Sequence, residues 1–188
     1  MEIVTERLLL RPWQAKDRSP FAKMNADPEV MRYFPEVLSV EQSDALADRL
    51  ESEFSARGWG WWVVVGRQTT KFAGVIALQP VPDAVVLAAD LPAGALEVGW
   101  RFSRPWWGKG LATEAARAVL GFGLEHLEAV EVFSFTAESN MRSRAVMERL
   151  GMSWVADFEH PALEPGHRLR KHALYRLRAH GIWAMPTL

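Results

Sequence analysis

The chain has 188 residues, 49% of them hydrophobic and 24% charged, with a formal net charge of −1. That length holds one core rather than two, and the balanced charge argues against nucleic acid or an anionic membrane as a partner reached by global attraction. The absence of cysteine excludes disulfides, thiolate nucleophiles and cysteine metal sites.

Met1 to Arg7 lacks the basic start and apolar run of a signal peptide. No window offers the roughly 18 apolar residues of a membrane span, so a cytoplasmic protein is expected. Leu8 to Trp13 reads as a first strand stopped at Pro12. Residues 15–26 and 39–56 have helical composition, the second with Leu46, Leu50 and Phe54 at four-residue spacing and Gly58 as its stop. Trp61–Gly66 and Phe72–Gln79 read as two strands joined by a hairpin turn at 67–70. Residues 80–94, punctuated by Pro80, Pro82, Pro92 and Gly94, are either a long loop or a loop with a short strand at Val85-Val86-Leu87. A strand at 95–102, a helix at 111–126, a strand at 130–136, a helix at 140–150 and a strand at 152–158 follow. The segment 168–177 closes the set. Strands dominate the first half and alternate with helices in the second, which predicts a mixed, largely antiparallel sheet flanked by helices.

The nine tryptophans serve packing in the main, with some as candidates to line a groove. The five histidines show no metal spacing, and His167 and His172, if on one strand, face opposite ways. No metal site is expected. The domain is expected over 1–177, with a tail at 178–188 whose Trp183 and Met185 would pack on the domain or on a second subunit, leaving a homodimer open.

The chemistry concentrates at Gly108-Lys109-Gly110, which follows the strand Leu96-Glu97-Val98-Gly99-Trp100 and opens a helix whose apolar face is Leu111, Ala115, Val119 and Phe122. The first N–H groups of a helix have no internal partner, and its dipole favours negative charge there. Glycines let that backbone approach a pyrophosphate. The stretch is neither a dinucleotide fingerprint, lacking the third glycine, nor a nucleoside-triphosphate loop, since Lys109 precedes Gly110 rather than serine or threonine. Read alone, it is an anion site or a tight turn into a packed helix.

Its context is more specific. Gly108-Lys109-Gly110-Leu111-Ala112-Thr113-Glu114-Ala115 resembles the acetyl-CoA-binding motif of the GNAT N-acetyltransferase superfamily, and most of all its ribosomal-protein-alanine N-acetyltransferase branch. Thr5-Glu6-Arg7-Leu8-Leu9-Leu10-Arg11, Glu97-Val98-Gly99-Trp100, and Asn140-Met141-Arg142-Ser143 leading to Leu150-Gly151-Met152 agree in order and spacing. One departure is Pro105, where the motif commonly has glutamine or arginine.

The resemblance implies a single-domain α/β (α+β) fold with a six- to seven-stranded, mostly antiparallel sheet. Two neighbouring parallel strands, 95–102 and 130–136, would splay to form the acetyl-CoA cleft. It implies that Trp107, Gly108, Lys109, Gly110, Leu111 and Ala112 hold the pyrophosphate and that the backbone at Val98 and Trp100 pairs with the pantetheine. Asn140 would bond the same arm, although it is also a natural helix cap. The reaction implied is direct transfer of acetyl from acetyl-CoA to a primary amine, a protein N-terminus or a small molecule, with no enzyme nucleophile. Glu97 is the candidate general base, since burial would raise its pKa. The tyrosine acid of many relatives is replaced by Met147, and Ser143 is the candidate donor to the leaving thiolate. A non-catalytic acyl-CoA-binding module on the same fold is the alternative. Acceptor specificity would reside in residues 15–56, 80–94 and 159–167, where Glu36, Asp83 and Asp90 could form an acidic rim.

Overall fold

The protein is described by a computed structural model over residues 1–179. The expected tail therefore lies, save its first residues, outside the described residues. In chain order the elements are β1 (Ile3–Val4), β2 (Leu8–Arg11), α1 (Arg18–Asn25), α2 (Val40–Arg57), β3 (Trp61–Gly66), β4 (Phe72–Pro80), α3 (Asp83–Ala88), β5 (Leu96–Phe102), α4 (Leu111–Leu127), β6 (Glu131–Ala137), α5 (Met141–Arg149), β7 (Ser153–Glu159) and β8 (Lys171–Arg178). The strands form one eight-stranded sheet in the order β1-β2-β3-β4-β5-β6-β8-β7. The expected single α/β fold is present, and the two-residue β1 takes the strand number past the six or seven expected.

Each neighbouring pair is antiparallel except β5 and β6. The helices cover both faces, so β3 and β4 are buried runs rather than alternating ones. On β3, Trp62 and Val64 join the core beneath α4, while Val63 and Val65 pack under α1 and α2.

Local chemistry sets the helix limits. Ser39 caps α2 by accepting from the Gln42 amide, with Gln42 bonding back in a capping box, and Gly58 ends the helix at φ 78°. The stripe that α2 buries is Ser43, Ala47, Leu50 and Phe54, so Leu46 sits at its margin rather than in it.

The segment 80–94 departs from expectation. Val85-Val86-Leu87 lies in helix α3, neither in a strand nor in plain loop. Pro82 precedes the helix and Asp83 favours its first turn. Val85 is buried beside Val81, Ala95 and Phe133 while Leu87 is 85% exposed. A helix one and a half turns long buries one side of an apolar run, and the run alone does not distinguish it from a strand. His167 precedes β8 in a turn, so it does not share that strand with His172.

Candidate active site

The sheet opens where β5 and β6 run side by side. Their register holds a single pair, Glu97 with Phe133, and the strands then separate. Opposite-facing residues alternate along β5: Val98 and Phe102 point into the core beneath α4, while Glu97, Gly99 and Arg101 face the side of α1 and α2 opposite Gln79, Ala77 and Val75 of β4. A cleft of 1370 Å³ occupies the opening.

The free edge of β5 is already partly used. The Ser134 hydroxyl donates to the Val98 carbonyl at 2.9 Å and the Trp107 indole donates to the Phe102 carbonyl at 2.6 Å. Since backbone groups on one edge recur every second residue, Trp100 contributes the N–H and C=O that remain unpaired between them. An extended amide-bearing arm would find its backbone partners there.

At the mouth of the cleft, Gly108 and Gly110 take φ of 72° and 76°, the left-handed region that glycine enters without strain. Gly110 is the N-cap of α4 and offers no side-chain cap, so the N–H groups of the first turn remain for an anion. The turn is anchored from the other end of the chain. Glu114, 3% exposed in its side chain, accepts from the Thr5 hydroxyl at 2.6 Å and the Arg7 amide at 2.9 Å. The Arg7 guanidinium pairs with it at 2.6 Å and also donates to the Lys109 carbonyl at 2.9 Å. Burial works against ionisation of Glu114, yet these bonds together hold its pKa below the usual carboxylate range.

Among the sequence-predicted residues, Glu97, Val98, Trp100, Trp107, Gly108, Gly110, Leu111, Ala112, Asn140 and Ser143 line this cleft together. Lys109 does not. Its ammonium turns back to the Pro105 carbonyl at 2.7 Å, so it braces the turn. Asn140 is occupied by the fold: its amide oxygen caps α5 at the Ser143 N–H, and its NH2 reaches the hydroxyls of Thr136 (2.9 Å) and Ser143 (3.0 Å). The Ser143 oxygen thus accepts from Asn140, which leaves its own O–H free to donate.

Glu97 is half-buried at the cleft wall, and loss of solvent pushes its carboxyl up to about 7, opposed by a hydrogen bond from Gln79. The orientation of that amide follows from Trp61. An indole N–H can only donate, and it donates to the Gln79 oxygen at 2.5 Å, so the Gln79 NH2 must face Glu97, where it donates to Oε1 at 2.5 Å. No side chain among the described residues bonds Oε2. A carboxyl half-ionised at neutral pH, with one oxygen held and one free toward a cleft, can take a proton from a bound group.

Sequence reasoning did not single out Gln79, Arg101, the Arg7–Glu114 pair or the ring pair His160 and His172. Those two imidazoles lie 4.7 Å apart on the far side of the cleft, and burial lowers His172 to about 4. Arg142, exposed at the start of α5, lies over the Trp107 ring at 4.8 Å and so stands across the mouth from the glycine turn. Only an alternating strand register placed beside the splay could have drawn attention to Gln79 and Arg101. Among the described residues no group of side chains is suited to hold a metal ion.

Residues 7–153 match the acetyltransferase (GNAT) domain family. An FsC-acetyl coenzyme A-N(2)-transacetylase of Aspergillus fumigatus is 32% identical over 157 residues, which is 82% of this chain and 66%, just under two thirds, of that protein. Among solved structures, an acetyltransferase of the GNAT family from Bacillus anthracis superposes with a TM-score of 0.78 at 23% identity, covering 95% of this chain and 98% of that one. The ribosomal L7/L12 alpha-N-protein acetyltransferase RimL, solved with coenzyme A, superposes with a TM-score of 0.74 at 14% identity, over 95% of this chain and 98% of that one.

Proposed function

Because the chain belongs to the acetyltransferase (GNAT) family, and is thus an acyltransferase, we propose that it transfers the acetyl group of acetyl-CoA to a primary amine by direct attack in a ternary complex. The observation that carries the proposal is the opening of β5 from β6 after the Glu97–Phe133 pair, directly behind the uncapped start of α4. A thioester arm threaded there has anion-binding amides at one end and a carboxyl titrating near neutrality at the other.

The amides at the start of α4 and the Arg142 guanidinium would hold the pyrophosphate, and the Trp100 backbone the pantetheine amides. On the facing side Glu97, directly or through one water, would take the proton that the amine loses as its nitrogen bonds the carbonyl carbon. As the carbon–sulfur bond breaks, the Ser143 hydroxyl would donate a hydrogen bond to the departing thiolate or position a water that protonates it. Phe133, the strand partner of Glu97, and Phe135, which lines the cleft, keep the site apolar, which strengthens such interactions.

The fungal relative is named for acetylating an N2 position and the RimL neighbour for a protein α-amino group. A primary amine, on a small molecule or a protein N-terminus, is the acceptor consistent with both, and the composition favours a cytoplasmic setting. The test is release of free thiol when the protein is mixed with acetyl-CoA and a panel of amines. Turnover with at least one amine is expected, and tight CoA binding with no turnover on any amine would sink the proposal.

A further inference from the structure

On the α1–α2 side of β5, a second cavity of 680 Å³ adjoins the cleft, and the two share Phe34, Pro35, Trp61 and Arg101 in their walls. Arg101 is the notable member. Its Nη1 donates to the Asn25 Oδ1 at 2.5 Å, and Phe34 covers its guanidinium at 4.0 Å from the ring centre. Its Nε is buried without a hydrogen-bond partner. Asn25 is itself fully buried and spends its NH2 on the Ser43 hydroxyl at 2.9 Å, so it aims Arg101 without neutralising it.

No carboxylate among the described residues pairs with this guanidinium. Glu36, Glu53 and Asp83 line the same cavity, but Glu53 is engaged by Arg57 at 3.1 Å. Burial draws Arg101 down to about 10, which leaves it cationic at neutral pH. Arg101 is only partly exposed at the wall between the two cavities, and a cation partly withdrawn from water without a counter-charge carries a cost that a ligand carboxylate would relieve.

The strand between Glu97 and Arg101 is open. Gly99 lies on the same face midway, and a Cβ built there would meet only the Trp61 ring, at 4.0 Å. Four residues of strand span ~13 Å between the two backbones, shortened by the reach of both side chains. We infer that the acceptor lies along β5 over Gly99, with its amine toward Glu97 and a carboxylate against Arg101, so that the preferred substrates are primary amines bearing a carboxylate several bonds away. The inference rests on the proposed acetyl transfer and adds the chemistry of the acceptor to it.

The test uses the full chain with acetyl-CoA and matched pairs: γ-aminobutyrate against its amide, and ε-aminocaproate against its amide. Thiol release should favour the carboxylate of each pair by roughly 10- to 100-fold in kcat/KM, carried by KM, as for a hydrogen-bonded charge pair. Arg101→Gln should abolish the preference, and Arg101→Lys, lacking the planar fork, should keep part of it. Asn25→Asp should abolish it too, because it places a carboxylate where Arg101 already points. Scoring the ratio within each pair separates loss of recognition from general loss of fold or turnover, and Asn25→Asp retains the arginine if the glutamine variant fails to fold. Gly99→Val should raise KM for ε-aminocaproate by filling the lane. Equal use of both members of each pair, or wild-type ratios in Arg101→Gln and Asn25→Asp, overturns the inference while acetyl transfer stands. No thiol release with any amine, with CoA still bound, overturns both.

Discussion

At the scale of single residues, Glu97 is the proposed base, and its surroundings set its titration. The apolar wall raises its pKa to about 7 and the Gln79 amide limits the rise. A base must be ionised and the attacking amine neutral, and an α-amino group titrates near ~8. We therefore expect kcat/KM to climb with a slope near two below about pH 7 and near one above it. It should level at the pKa of the amine itself: about pH 8 for an α-amino acceptor and about pH 10.4 for an alkyl amine such as ε-aminocaproate. Glu97→Gln should remove one unit of slope and lower kcat by about 10²- to 10⁴-fold, whereas a variant that kept the full acid limb would show that another group takes the proton. Stability moves the other way. The folded pKa of Glu97 lies above that of the unfolded chain, near ~4.3, so the folded state binds the proton more tightly. The associated stability is fully present below about pH 4, falls as pH rises and is gone above about pH 7. Thermal melts of Glu97→Gln should accordingly gain on the wild type between pH 5 and 8.

At the scale of elements, the glycine turn is held by chemistry far away in sequence. The phrase at the start of the chain reads as a mark of family, and its physical content appears only in three dimensions. Thr5 and Arg7 converge on Glu114 in the first turn of α4, and Arg7 also ties down the Lys109 carbonyl. A carboxylate in that position suits the positive end of the helix dipole and would be poorly solvated without Arg7. Breaking a fully buried pair costs about 3–5 kcal/mol. Arg7 is 47% exposed in its side chain, so Arg7→Ala should cost less, about 2 kcal/mol by urea denaturation, and should weaken CoA binding because the turn loses its tether. Loss of stability with CoA affinity unchanged would show that the clamp holds the fold and not the anion site. Lys109, offered by the resemblance as a phosphate ligand, has its side chain on a carbonyl four residues back, a local choice that spacing does not reveal.

At the scale of the whole molecule, legibility follows whether a signal is local. Caps, glycine stops and buried runs are written in adjacent residues, so the strands and the long helices were readable, and Glu97 and Ser143, singled out beside the motifs, do line the cleft. Gln79 of β4 meets Glu97 of β5, and Arg101 of β5 meets Asn25 of α1; both meetings depend on tertiary register, which no window of sequence contains. The sheet likewise behaves as two halves joined at one backbone pair, with Val85 of α3 and its apolar neighbours Val81, Ala95, Phe133 and Phe158 bridging the join. An opening of that kind leaves backbone groups without partners in the free protein. Ser134 and Trp107 satisfy the carbonyls of Val98 and Phe102, while Gly99 and Arg101 lie on the edge that pairs with β4. Amide hydrogen exchange should therefore mark Trp100 and Phe102 within β5: fast in the free protein, Trp100 slowed on adding CoA, with Gly99 and Arg101 slow in both states. A Trp100 amide equally protected with and without CoA would mean that the edge of β5 is satisfied from within the protein, and that the arm takes its backbone contacts elsewhere.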